Sequence, residues 1–408
     1  MGKPAHDRGA VEQSMNGHKQ AIILSGGGAY GAYEVGVIKA LFTGKSPATN
    51  RAPLDPDIFT GTSIGAVNAV LLLSHPEMDS ARQADCLQRI WLNEVAYNSQ
   101  NCGNGFYRLR GNPFPYLDPE CFIANPLKPL VDFAADTAAF TRYWIERGTN
   151  FLLSPDNLDQ RAIELINIGV LFSSSPYEQM VRKNVSFDAL RRSEKVLRIV
   201  ATNWTTGELR VFGNADMTEE LGDRALRASF ALPAIFPPVV IDDELYVDGS
   251  VGMNTPVLPA IEAGADTIYI IFVDPLVKNI PVEPLPDTTD TIYRLQIIQW
   301  AIKAKEDIET VRWINRGLEV MEQAAGGQIL SDTGLRDLIR AGGQLRRRIN
   351  EGLPYKKITI HIFRPRRGAA EALRALNLDR QRVSALIELG YNDTLDHDCA
   401  ANDCVMPG

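Results

Sequence analysis

The chain has no apolar run approaching the length of a bilayer-spanning helix, which excludes a membrane anchor of that kind from the sequence as it stands. Positive charge is the scarcer sign: 42 Lys and Arg against 50 Asp and Glu leave a net charge of −8. That balance argues against nucleic acid as the main partner and against adsorption to anionic membranes by charge alone. Apolar contact with a lipid surface is left open. Histidine is rare, with His6, His18, His75, His361 and His397 making up the whole set, so a histidine general base has few sources. Cysteine is equally rare. Cys86, Cys102, Cys121, Cys399 and Cys404 are odd in number and form no CxxC pair, so neither a disulfide scaffold nor a paired-cysteine metal motif is indicated. Free thiols in a reducing compartment are the preferred reading, with metal binding or oxidation at Cys399 and Cys404 as the alternative.

The first residues lack the apolar core of a Sec signal peptide. His6 stands where myristoylation wants Ser or Thr, and Cys404 lies one place too far from the end for a prenylation box. The expectation is a cytoplasmic protein, with peripheral membrane contact compatible, and a disordered leader over residues 1–17. With 45% apolar and 23% charged residues over 408 positions, the chain can bury one large α/β core or two ordinary ones. No internal repeat or low-complexity tract is present.

Two glycine motifs carry the chemistry. Gly26-Gly27-Gly28-Ala29-Tyr30-Gly31 follows the apolar run Ala21–Leu24, and Gly61-Thr62-Ser63-Ile64-Gly65 lies between Asp57–Thr60 and the apolar stretch Ala66–Leu73. Each reads strand, tight turn, helix, a βαβα start that favours a parallel sheet. The second motif has the form of a nucleophile elbow, with Ser63 on a sharp turn at a helix N-terminus and Gly61 and Gly65 giving it room. A serine that only caps an ordinary helix would carry the same letters. The first motif also fits the dinucleotide fingerprint, which needs an acid about twenty residues on, at the end of the second strand. Asp55 and Asp57 precede that strand, so the nucleotide reading lacks its ribose anchor. Backbone N–H groups that would meet an oxyanion fit the loop better.

No histidine has a convincing place beside Ser63: His75 ends the helix that Ser63 starts, and His361 alternates within a strand. Asp248, at the end of the strand Glu244–Val247 and followed by Gly249-Ser250, is the better base. Partial desolvation would bring a carboxylate's pKa toward the working pH.

At these residues the chain resembles the patatin-like phospholipases, serine acyl hydrolases with a Ser–Asp dyad. Gly26–Gly31, Gly61–Gly65 and Asp248–Ser250 match that family's oxyanion loop, elbow and Asp-Gly turn in order, and residues 225–238 resemble its stretch before the aspartate. The resemblance covers roughly residues 20–275. It implies a three-layer α/β/α fold with a mainly parallel sheet, Ser63 as nucleophile and Asp248 as base. It further implies an oxyanion hole drawn from Gly26, Gly27, Gly28, Gly31 and Ile64, lipid or phospholipid as substrate, and no metal or cofactor. Tyr30 stands where the family often has Lys or Arg, and Ser250 where it has Gly or Ala.

Residues 18–275 are expected to form the catalytic domain, and 276–408 a helical extension packed on it with a polar tail at 392–408. The Pro- and aromatic-rich stretch 103–160 reads as an irregular inserted cap, lining an apolar channel or merely structural. The helix expected over 291–323 is a further candidate for holding an acyl chain. A second helix is expected over 335–349, and a last one over 380–389 ending at Gly390. Three rivals remain: a hydrolase using His75 or His361, a lipid-binding scaffold without turnover, and the weaker nucleotide reading.

Overall fold

Short apolar strands assemble the sheet, the central ones buried on both faces. In the computed structural model, which describes residues 18–153, 168–233, 235–280, 288–325, 334, 356–366 and 375–407, β1 (Gln20–Leu24) enters α1 (Gly31–Phe42) through the first glycine turn. β2 (Ile58–Thr62) enters α2 (Ile64–Leu73) through the second, and α3 (Ser80–Ile90) follows. β3 (Arg108–Leu109), α4 (Pro119–Ala124), α5 (Lys128–Leu153) and β4 (Phe172–Ser173) belong to an excursion from the sheet. α6 (Ser175–Asn184) and α7 (Phe187–Arg192) lead back to β5 (Val196–Asn203), β6 (Leu209–Gly213) and α8 (Leu221–Phe230). The hairpin β7 (Val239–Ile241) and β8 (Glu244–Asp248), then α9 (Val257–Glu262) and β9 (Thr267–Ile271), precede α10 (Thr288–Ala325), β10 (Thr359–Phe363) and α11 (Arg380–Leu395). The expected leader at 1–17, the helix at 335–349 and Ala234 lie outside the described residues.

The eight-stranded sheet runs β10-β9-β1-β2-β5-β8-β7, with β6 also on β5. β10, β9, β1, β2 and β5 are parallel, while β6 and β8 are antiparallel to β5. Strand alternation sorts the side chains into two cores. Ile22 and Leu24 of β1 face α1, α2, α3 and α8, whereas Ala21 and Ile23 face α9 and α10. This is the three-layer α/β/α arrangement, with a mostly parallel sheet in the middle.

One detail of register decides what meets what. β2 pairs with β5 from Val196 to Val200, and β8 pairs with β5 from Ala201 to Asn203. β6 covers Arg198 to Thr202 on the other edge. β2 and β8 therefore share one edge of β5 and meet head to head, with Thr62 opposite Val200 and Asp248 opposite Ala201. Residues Ser63 and Asp248 are thrown together at that junction.

Two elements differ from expectation. The excursion is helical where irregular chain was expected. Pro119 and Pro129 occupy first-turn helical positions, where a missing N–H costs nothing, and Asp118 caps α4 through Glu120 N. β3 and β4 pair antiparallel across its base, and Arg108 holds Asp136 of α5 through two hydrogen bonds of 2.8 and 2.6 Å. α11 runs on to Leu395 rather than ending at Gly390. Gly390 sits where α11 crosses α1: a Cβ there would lie 2.1 Å from Tyr33 O, so the glycine marks close helix contact instead of a terminus. The five-free-thiol reading is also corrected, since Cys102 and Cys121 form a disulfide, while Cys86, Cys399 and Cys404 remain free. The turn at Asn98–Gly103 and the end of α4 are drawn together by Asn125 Nδ2 donating to Gln100 O at 2.6 Å, which brings the two cysteines into reach.

Candidate active site

Ser63 is the turn residue between β2 and α2, with φ 55° and ψ −122°. A non-glycine residue in that region is strained and is held there by what surrounds it. Gly65 packs so tightly on β1 that an added Cβ would come within 2.2 Å of Leu24 O. With Gly61 in the preceding strand, it lets the helix start directly beneath the sheet. The Ser63 N–H donates to Ser229 Oγ at 2.9 Å. Its Oγ donates to Asp248 Oδ2 at 2.7 Å.

Asp248 is 1% exposed and Ser63 6%. Burial raises the Asp248 pKa to about 6, while hydrogen bonds from Ser250 N–H, the Ser63 hydroxyl and the Ser250 hydroxyl pull it down. The Ser250 N–H donates to Oδ1 at 2.8 Å, so each carboxylate oxygen has a donor. The loop after Gly249 is strapped to β2: Thr62 Oγ1 donates to Met253 O at 2.9 Å and Thr60 Oγ1 to Pro256 O at 3.0 Å. Trp300 of α10 donates its indole N–H to Ser250 O at 2.7 Å, which places the long helix against the same turn.

The glycine loop divides by use. Gly26 N–H donates to Asn254 O at 3.3 Å, and Asn254 Nδ2 donates back to Gly26 O at 3.2 Å. Gly31 N–H is taken within the 3₁₀ turn by Gly28 O and Ala29 O. Among the described residues, the N–H groups of Gly27, Gly28 and Ile64 meet no acceptor. The N–H groups of Gly26 and Gly31 are thus already taken by backbone acceptors. Tyr30, buried at the start of α1, lies 5.4 Å beneath the Arg382 guanidinium of α11. A cation therefore stands beside the loop although position 30 carries none.

Below the elbow, Glu34 is fully buried and accepts from Asn68 Nδ2 at 2.7 Å. Asn68 Oδ1 in turn accepts from Trp91 Nε1 at 2.7 Å, and Asn68 Nδ2 also reaches Gly31 O at 3.2 Å. Burial raises the Glu34 carboxyl well above its ordinary value. This network ties α1, α2 and the residues after α3 together behind the loop.

The histidines are elsewhere. His361 is on β10, three strand positions from β2, or about 14 Å at ~4.8 Å per strand. His75 lies past the far end of α2, whose ten residues span about 15 Å from the elbow at 1.5 Å per residue. Neither is placed to serve Ser63. Sequence reasoning missed Ser229, Asn254, Thr60, Thr62, Trp300 and Arg382; only the polar threonines in an otherwise apolar strand gave any local signal.

The profile of the patatin-like phospholipases matches residues 22–261. The chain belongs to that family. A lipid acyl hydrolase is what this patatin-like membership implies. VipD from Legionella pneumophila is a similar solved structure, 18% identical, with a TM-score of 0.33 over 91% of this chain and 67% of that one; the likeness is too low to transfer detail. No helix among the described residues is long and apolar enough to cross a membrane.

The excursion reaches this patatin-like site through a chain of rings. Tyr107 contacts Phe172, Phe172 contacts Phe236, and Phe236 contacts Phe230, with centroids 5.4, 6.2 and 4.9 Å apart. Phe230 follows Ser229, the acceptor of the Ser63 N–H.

Proposed function

We propose that the chain hydrolyses fatty-acyl esters, phospholipids and lysophospholipids among them, through a Ser63–Asp248 dyad. The observation that carries this reading is the 2.7 Å hydrogen bond from Ser63 Oγ to a carboxylate that burial has raised to about 6. At neutral pH such a group is mostly ionised yet more basic than an ordinary aspartate, as a general base requires. Ser63 Oγ attacks the acyl carbonyl while Asp248 takes its proton. The N–H groups of Gly27, Gly28 and Ile64 receive the oxyanion, each good donor being worth roughly 3 kcal/mol. The tetrahedral centre collapses, Asp248 returns the proton to the departing alcohol, and an acyl-Ser63 ester remains. Water then attacks that ester, giving its proton to Asp248; the fatty acid leaves and Ser63 recovers its hydrogen.

Peripheral lipid contact is supported by apolar side chains held out on the excursion, Phe114 and Leu117 at 74% exposed and Ile123 at 79% among them. Trp300 and the ring chain make α10 and the base of the excursion the candidate acyl-chain walls. The test is fluorophosphonate labelling together with fatty-acid release from phosphatidylcholine vesicles. Labelling and release should vanish in Ser63→Ala, and release should vanish in Asp248→Asn. Wild-type release by Asp248→Asn, or undiminished labelling of Ser63→Ala, would sink the dyad. The near-complete burial of both groups favours one second reading, a lipid-binding protein without turnover. Vesicle binding with neither labelling nor release would select it.

A further inference from the structure

A second cluster of reactive side chains lies at the far edge of the sheet from the β7–β8 hairpin. β10 is the outermost strand there, with β9 on its inner side. After α11 the chain turns back and Val405 pairs with Ile360 in both directions, at 2.8 and 2.9 Å. That return brings His397, Cys399 and Cys404 to His361 of β10. One ligand atom from each of the four lies within 4.8 Å of every other.

The closest separations are informative. Cys399 Sγ is 3.4 Å from His361 Nδ1 and 3.4 Å from His397 Nε2, and Cys404 Sγ is 3.6 Å from His397 Nε2. A tetrahedral zinc ion with bonds of about 2.3 Å to sulfur and about 2.0–2.1 Å to nitrogen sets neighbouring S and N about 3.6 Å apart. Paired thiol–imidazole hydrogen bonds would account for two such contacts. They do not require four groups to converge on one centre.

The surroundings have the character of a zinc site's outer shell. Ile362 N–H donates to Cys404 Sγ at 3.3 Å, the kind of bond that steadies a thiolate. His397 Nδ1 faces the Asn402 amide at 3.2 Å. With that amide turned so that its oxygen accepts from Nδ1–H, Nε2 is left as the metal-facing nitrogen. His361 stacks on Tyr269 at 5.1 Å and His397 against Phe363 at 4.3 Å, and both imidazoles are more than nine-tenths buried.

We propose that His361, His397, Cys399 and Cys404 form a closed, four-coordinate zinc site that clips the segment after α11 onto the outer edge of β10. All four positions come from protein side chains, which is the pattern of a structural ion rather than one that activates water. The clip covers the edge strand, which would otherwise present unpaired backbone groups to another chain. The site is independent of the dyad.

The test uses the full chain, purified without a metal-affinity tag, fully reduced, loaded with zinc and dialysed against a chelating resin. Elemental analysis should find one zinc ion retained per chain. Cobalt in its place should give the visible bands of a tetrahedral site together with a near-ultraviolet thiolate-to-cobalt band. Cys404→Ser should bring metal retention close to zero and remove most of the thiolate band, whereas Cys86→Ser should change neither. Zinc should also slow amide exchange at Ile360 and Val405. The wild-type cobalt spectrum keeps the test decisive if the Cys404 variant does not fold. Less than about a tenth of an equivalent of metal in reduced wild type, with no thiolate-to-cobalt band, overturns the proposal. So does metal retained undiminished by folded Cys404→Ser.

Discussion

Replacing Asp248 by Asn should abolish turnover and at the same time make the protein more stable, by an amount that depends on pH. The carboxyl ionises at 3.8 in water-like surroundings and at about 6 in the fold, chiefly because it is buried. The unfolded chain therefore gives up this proton first. Native stability is full below 3.8, falls as pH climbs through about 6, and is level above that. At about 1.4 kcal/mol per pH unit, the deficit reaches about 3 kcal/mol by pH 8, with about half of it present by pH 5. Asparagine has the same shape and no charge to desolvate. Its Oδ1 can keep the Ser250 N–H, and its amide can donate to Ser63 Oγ, reversing one hydrogen bond without deleting it. Urea unfolding of both proteins at pH 5 and pH 8 reads the difference directly. The variant should exceed wild type by about 3 kcal/mol at pH 8 and by about half that at pH 5. A gap that does not widen with pH, or a variant less stable than wild type at pH 8, would refute the assignment of Asp248 as a buried, destabilised carboxylate.

Three further outcomes are expected. In wild type, kcat/KM for a soluble ester should rise with pH through about 6 and then level off, because the free enzyme needs Asp248 ionised; a profile already flat from pH 5 upward would contradict its role as base. Glu34→Gln should match wild type in stability at acid pH and exceed it increasingly as pH rises, since the native state disfavours a carboxylate that the unfolded chain forms freely. Superimposable pH–stability curves would show that Glu34 carries no such penalty. Gly65→Ala should cost about 1–3 kcal/mol and most of the activity, because the new methyl meets Leu24 O at 2.2 Å; an unchanged melting temperature with full turnover would mean that the elbow has slack.

Much of the parallel sheet was legible because each strand is a short apolar run ended by glycine or a polar turn, as at Ile58–Thr62 and Thr267–Ile271. The helices α1 and α2 were legible from the glycine turns that precede them, α8 from the proline beyond its end, and α10 from apolar residues at helical spacing. Ser63 and Asp248 could be named from their turns, but nothing local encodes their contact. It depends on β2 and β8 sharing one edge of β5, which is a property of register. The same holds for Ser229 and Asn254, whose partners lie 166 and 228 residues away. Proline misled in the other direction: Pro119 and Pro129 start helices in a stretch where prolines read as irregular chain. Gly390 misled likewise, as a contact glycine mistaken for a stop. His361 looked like a packed strand histidine, because the tail residues that face it are brought there only by the return of the chain along β10.

The head-to-head junction of β2 and β8 also sets a clock. Ser63 and its acceptor Asp248 are separated by 185 residues. A ribosome adding ~5–20 residues per second needs about 10–40 s to cover that distance. Throughout that interval the elbow exists as chain, but the carboxylate that would draw off the serine proton has not been made. Even then it arrives only when an antiparallel strand has seated itself beyond the end of β2. Under the proposed dyad, an unfinished or half-folded chain is therefore an unarmed one, and ester cleavage waits until the sheet around β5 has closed.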